Sequence, residues 1–225
     1  SIFGIETYAC NYNEGKTLED LLSVSKKWDR FATKNFSMPY QGYVLTPYYR
    51  SPENQHEVYW VGMSPNFEAQ GTTQDEMRTK GAKLNEEFLE VLDCDMQSQW
   101  AAMMVMSGGD SVPEEGTVSF QSCSMKEGTS MEQMMMADAK MNALAEKIGI
   151  TGGMLRWFPL GGQGSSFTGD YVQVTSNSSL AERGKNYDRA IASGLRQANA
   201  SIYGELVECQ GGSTSLYVSV GGKEE

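Results

Sequence analysis

Residues 10–21 read C-N-Y-N-E-G-K-T-L-E-D-L, and residues 123–134 read C-S-M-K-E-G-T-S-M-E-Q-M. Both fit C-x-x-x-E-G-x-[TS]-[LM]-E-x-[LM], at a displacement of 123 − 10 = 113 residues. The correspondence continues in order along the chain. Lys27-Trp28-Asp29 matches Lys140-Met141-Asn142, and Val44–Pro47 matches Arg156–Pro159. Val58–Val61 matches Tyr171–Val174, and Leu92-Asp93-Cys94 matches Val207-Glu208-Cys209. A series of this kind marks an internal repeat, and it governs every later reading of the chain.

Each copy predicts the order β-α-β-β-α-β. A short β-rich run, Ile2–Cys10, precedes a helix whose Leu18, Leu21, Leu22, Ser25, Trp28 and Ala32 recur at helical spacing, with Thr17 as its N-cap. Tyr43–Pro47 and Glu57–Gly62 predict the middle strands. Thr73 and Glu76 read as a capping box opening a second helix, and Gln99–Met106 as the last strand. The second copy repeats this with helices near 130–148 and 180–205 and strands near 154–159, 170–175 and 214–220. The expected division is a first unit at 1–107, a Gly-, Pro- and acid-rich linker at 108–116, and a second unit at 117–225.

This is the ferredoxin-like split βαβ pattern, in which two helices cover one face of a four-stranded antiparallel sheet. The predicted fold class is therefore α+β: two tandem ferredoxin-like βαββαβ repeats packed sheet to sheet, so that each covers the other's bare face. The chain resembles the dimeric α/β-barrel superfamily in a fused, single-chain form. Within it, the chain resembles a group of exported marine bacterial proteins that share Cys10–Lys16, Leu45–Pro47 and Leu92–Asp95, motifs that carry no known chemistry. Relatives on this fold include cofactor-free monooxygenases, isomerases, decarboxylases and haem enzymes, and fold likeness does not choose among them.

Composition narrows the function classes. The 225 residues carry 29 acids and 18 bases, a net charge of −11. Such a chain lacks the basic face that releases counterions from nucleic-acid phosphates, and anionic lipid would repel it. No run reaches the ~18 apolar residues of a membrane span. The single histidine, His56, argues against multi-histidine metal sites and haem, so neither a metal nor another cofactor is expected. His56 itself reads as an exposed loop-end residue. The methionines of 131–141 align with Leu18, Leu21, Leu22 and Trp28 and are expected to pack as core rather than bind copper.

Four cysteines allow three pairings. In the predicted topology the first and fourth strands are neighbours, which favours Cys10–Cys94 and Cys123–Cys209. Two such bonds, together with a start at Ser1, predict a protein exported to the periplasm or beyond after removal of a signal peptide. Strand alternation assigns Phe3, Ile5, Val118 and Phe120 to the helices. It assigns Glu6, Tyr8, Gln121, Trp60, Tyr171, Gln173, Arg156 and Tyr217 to the space between the sheets. On this reading that space binds a small organic ligand, with Arg156 holding an anion, Glu6 as a candidate acid/base, and the aromatic residues stacking on the ligand. The alternatives are a cofactor-independent oxygenase, isomerase or lyase on the same barrel, and an assembly protein with a filled interior. The sequence leaves monomer against homo-oligomer open.

Overall fold

The structure is a computed structural model that describes residues 2–109 and 112–224. The first half comprises β1 (Ile2–Tyr12), α1 (Leu18–Asn35), β2 (Tyr40–Tyr49), β3 (Val58–Ser64), α2 (Phe67–Lys80), α3 (Ala82–Val91) and β4 (Leu92–Met106). The second comprises β5 (Glu115–Met125), α4 (Met131–Lys147), β6 (Gly153–Gly161), β7 (Tyr171–Asn177), α5 (Leu180–Ala192), α6 (Leu195–Tyr203), β8 (Val207–Cys209) and β9 (Ser213–Lys223). No helix among the described residues is long and apolar enough to cross a membrane.

Local chemistry sets the helix limits. Asp20 accepts from the Thr17 amide at 2.9 Å and closes the start of α1. Helix α2 begins six residues before the expected Thr73. Asn66 is its N-cap, accepting from the Ala69 amide at 2.8 Å. Thr73 is fully buried in mid-helix and donates back to the Ala69 carbonyl at 3.0 Å. Gly81 then divides α2 from α3. A β-carbon there would meet Met77 at 2.6 Å, so only glycine lets the two helices adjoin. The predicted helix at 180–205 is likewise two, parted at Gly194, whose φ of +71° is left-handed.

The strands form one antiparallel ring. The order within the first half is β4-β1-β3-β2, and β9-β5-β7-β6 within the second. The halves join edge to edge, β2 to β9 and β4 to β6, which closes an eight-stranded barrel. Strand β8 continues the β9 side of β5 past an interruption at 210–212. β4 instead pairs with β1 along its whole length, with one register shift at Ala9/Cys10.

Cys10 faces Cys94, and Cys123 faces Cys209, directly across their strand pairs, and both pairs are disulfide-bonded. The bonds span 84 and 86 residues. Each restricts the unfolded chain by about 4.5 kcal/mol in the loop-closure treatment. No cysteine is free.

Apolar residues are buried in three places, the smallest being Cys123, Met134 and Tyr171 on the outer side of the second half. Inside the barrel lie Ile5, Leu45, Val61, Trp100, Val118, Trp157, Val174 and Tyr217. Outside it, between the first-half strands and α1 and α3, Trp28 meets Trp60, Tyr40 and Phe36 edge-on with ring centroids 4.8–6.1 Å apart. Of the aligned methionines only Met134 is buried. Met131 and Met135 are exposed, so the expected core stripe on α4 is reduced to Met134 and the half-buried Met141.

Candidate functional site

Side-chain parity decides where the site lies, and it is the reverse of the sequence expectation. Ile5, Val118 and Phe120 point into the barrel, not at the helices. Glu6, Tyr8, Trp60, Arg156, Tyr171, Gln121 and Gln173 lie outside, under the helices. Only Tyr217 points inward as expected. The reason is physical. The ring of strands excludes water and offers few hydrogen-bonding groups, so it takes the apolar set. The helices bring amides, hydroxyls and a carboxylate to meet the polar set.

Glu6 shows how this works. Its Oε1 accepts from the Tyr40 hydroxyl and from Gln74 Nε2 of α2, and Trp60 Nε1 donates to Tyr40 Oη at 3.1 Å. Tyr40 crosses β3 at Gly62, where a β-carbon would lie 1.8 Å from its hydroxyl oxygen. Burial pushes the Glu6 carboxyl up to about 7, against the hydrogen bonds from Tyr40 and Tyr8 that lower it. Tyr8 is bound by Gln97 Nε2 at 2.6 Å. Tyr40, Tyr8 and Trp60 belong to the first-half core, so Glu6 is a buried acid in a hydrogen-bonded network.

Arg156 is fully buried and makes a bidentate pair with Asp138 of α4, both contacts at 2.6 Å. Tyr203 donates to the same carboxylate at 2.6 Å, and the Tyr171 ring lies 5.3 Å from the guanidinium. Arg156 therefore has its anion already, from its own chain. Glu6 and Arg156 sit in different halves and do not meet. The remaining two expected residues, Gln121 and Gln173, face each other across β5 and β7 at the floor of an outer cavity under α5.

The barrel interior is not filled. A cavity of about 310 Å³ opens between residues 107–109, 112–113, 151–153 and 176–178. Its wall is aliphatic and aromatic, with Phe120, Trp157, Tyr43 and Tyr217 among the larger side chains. No Asp, Glu, His, Lys or Arg lines it among the described residues. Its polar groups are of two kinds: Ser107, Thr151, Ser176 and Asn177 are hydrogen-bonded within the protein, whereas three aromatic donors are not. Trp157 Nε1 is buried and unbonded. Tyr43 and Tyr217, with ring centroids 5.9 Å apart, have no hydroxyl partner among the described residues. Burial, then the neighbouring Tyr217, pushes Tyr43 up to about 12, and burial raises Tyr217, so both stay protonated near neutral pH. Sequence reasoning missed Tyr43 and Trp157. Their signal was the alternation Tyr43-x-Leu45, matched by Leu155-x-Trp157 in the second copy.

His56 lies just before β3 with Nε2 2.7 Å from Asp95, remote from both cavities. No group of three or more metal-binding side chains occurs among the described residues.

No family model and no curated protein sequence matches the chain. Solved structures do. A monooxygenase-like protein from Lactobacillus acidophilus superposes with a TM-score of 0.58 at 10% identity, covering 97% of this chain and 93% of that one. A mutant chlorite dismutase from Candidatus Nitrospira defluvii gives 0.57 at 9%, covering 97% and 92%. A heme-binding protein from Thermus thermophilus gives 0.54 at 8%, covering 96% and 92%. The last raises the question of haem here. The single imidazole of this chain lies outside both cavities, so the donor set does not fit a histidine-ligated haem. At such identities the likeness is one of architecture. Over nearly its whole length, this chain has the mixed α+β fold of the dimeric α/β barrels.

Proposed function

We propose that the chain is a small-molecule-binding protein whose ligand enters the barrel between its two half-sheets, and that it consists of two fused ferredoxin-like units, 1–107 and 117–225, joined by 108–116. The observation that carries the reading is a mostly apolar cavity with no charged side chain among its described lining residues, in which Trp157 Nε1 is buried and unbonded and the Tyr43 and Tyr217 hydroxyls have no partner among the described residues. Buried donors left without acceptors cost roughly 1–3 kcal/mol each, so the cavity favours a guest that supplies acceptors. An ion would have to shed its water with nothing to replace it. The ligand class is thus an uncharged, mostly apolar molecule with carbonyl or ether oxygens. Glu6 lies outside this cavity, bonded to Tyr40 and Gln74, and takes no part in the binding proposed here. The two disulfides support an oxidising compartment, and we place the protein outside the cytoplasm.

The test uses 1,4-naphthoquinone, a flat neutral molecule with two carbonyl acceptors, with quenching of tryptophan fluorescence as the readout. Tyr43→Phe/Tyr217→Phe is expected to weaken it by about 5- to 30-fold, the value of one or two hydrogen bonds. Naphthalene, which lacks acceptors, should bind both forms alike. Equal quinone affinity for the two proteins would remove the barrel from consideration.

A further inference from the structure

The two halves place the same strands beneath the same helices, yet only one layer is full. Tyr8 and Trp60 face each other across β1 and β3, and Trp60 packs on Trp28. At a displacement of 113, these three positions are Gln121, Gln173 and Met141. Gln121 and Gln173 again face each other, across β5 and β7. The fourth position of the layer, Glu6, becomes Ser119. Loss of one phenol and two indoles leaves a cavity of about 540 Å³ between the second-half sheet and α5 and α6, and neither helix buries a single residue. Tight packing is the rule in protein interiors, so a void of this size, roofed by helices and floored by amides, is a built feature.

Its charge is as specific as its shape. Arg183 and Arg196 line it. No carboxylate pairs with either among the described residues, in a chain where acids outnumber bases by eleven. Arg183 is held in place from three sides. Its guanidinium lies 5.4 Å from the Tyr49 ring and 4.7 Å from the Tyr187 ring. Nη2 donates to Tyr187 Oη at 3.0 Å, and Nε to Ser119 Oγ at 3.4 Å. Those contacts are all to neutral groups and leave its charge uncompensated. Met141, Ile191 and Leu195 complete an apolar side.

We propose that this hollow is a second binding site, separate from the barrel cavity and independent of that reading, for an organic anion: an apolar body carrying a carboxylate or sulfonate that Arg183 and Arg196 grip while Gln121 and Gln173 bond its polar edge. The experiment compares 8-anilinonaphthalene-1-sulfonate with its uncharged analogue N-phenyl-1-naphthylamine by fluorescence titration. Arg183→Gln/Arg196→Gln is expected to weaken the sulfonate at least tenfold and to leave the neutral probe within twofold. Gln121→Tyr/Gln173→Trp refills the layer as in the first half. It is expected to abolish sulfonate binding while thermal unfolding stays cooperative at an equal or higher temperature. Tyr43→Phe/Tyr217→Phe should bind the sulfonate as the parent does. The proposal is overturned if the parent protein fails to bind the sulfonate, if the arginine variant binds it unchanged, or if the refilled and folded variant still takes it.

Discussion

Glu6 in the first half and Arg156 in the second are both buried charges held between a strand and the overlying helices, and the molecule treats them in opposite ways. Arg156 is met by a carboxylate with matched geometry, and a tyrosine binds the same carboxylate. Glu6 is met only by neutral donors, a phenol and an amide. In the first arrangement the Asp138 carboxylate holds the Arg156 guanidinium in its charged form, against the burial that opposes it. The second makes ionisation costly, so the group titrates near neutrality. One scaffold can therefore hold a permanent charge pair or a conditional charge, depending on what a single helix position supplies.

Removing Asp138 gives the sharpest contrast. Asp138→Ala would strand the Arg156 guanidinium in the interior and is expected to cost about 3–5 kcal/mol in chemical denaturation. Asp138→Leu/Arg156→Met, which removes both charges, should cost far less. Equal losses would show that packing, not charge, dominates there.

The Glu6 side of the comparison is read through pH. Its carboxyl is about 7 when folded and starts from 4.5, so the folded state holds the proton more tightly. The associated stability is fully present below about pH 4.5 and is lost as pH rises through about 7, a change on the order of 3 kcal/mol. Glu6→Gln keeps a neutral side chain at every pH. The parent minus variant difference in unfolding free energy should therefore fall between pH 4.5 and 8. A flat difference would mean that Glu6 is ionised in the native state throughout.

The smallest difference lies between the layers themselves. Trp28→Ala opens a hole in a packed cluster and should cost about 3–5 kcal/mol. Met141→Ala, at the matching position beside an existing hollow, should cost less by about 2 kcal/mol. Similar losses would mean that the second layer is as tightly packed as the first.

The order of strands and helices and the cysteine partners were legible in the sequence, because each rests on a pattern that recurs along the chain. The faces were not. Alternation separates Ile5 from Glu6 but does not say which one looks inward, and in a barrel wrapped by helices both faces are covered. The deciding information sits elsewhere in the chain, in Gln74 on α2 and Asp138 on α4, whose polar ends fix the outer set. An error of one residue in parity moves every side chain of a strand to the opposite face. That is how seven of the eight expected ligand-facing residues came to lie outside the barrel, with Tyr217 alone within. The start of α2 was misplaced for a related reason. Thr73 and Glu76 fit a capping box, but Asn66, two residues after the end of β3, caps the free amides at the start of α2.

The closed ring of strands uses up every long sheet edge: β2 and β4 from one half are zipped to β9 and β6 of the other. A protease nick between Met106 and Glu115 would therefore yield two fragments that stay together as one particle. Either fragment made alone would present two naked β-edges, the surfaces from which strand addition and fibril growth begin.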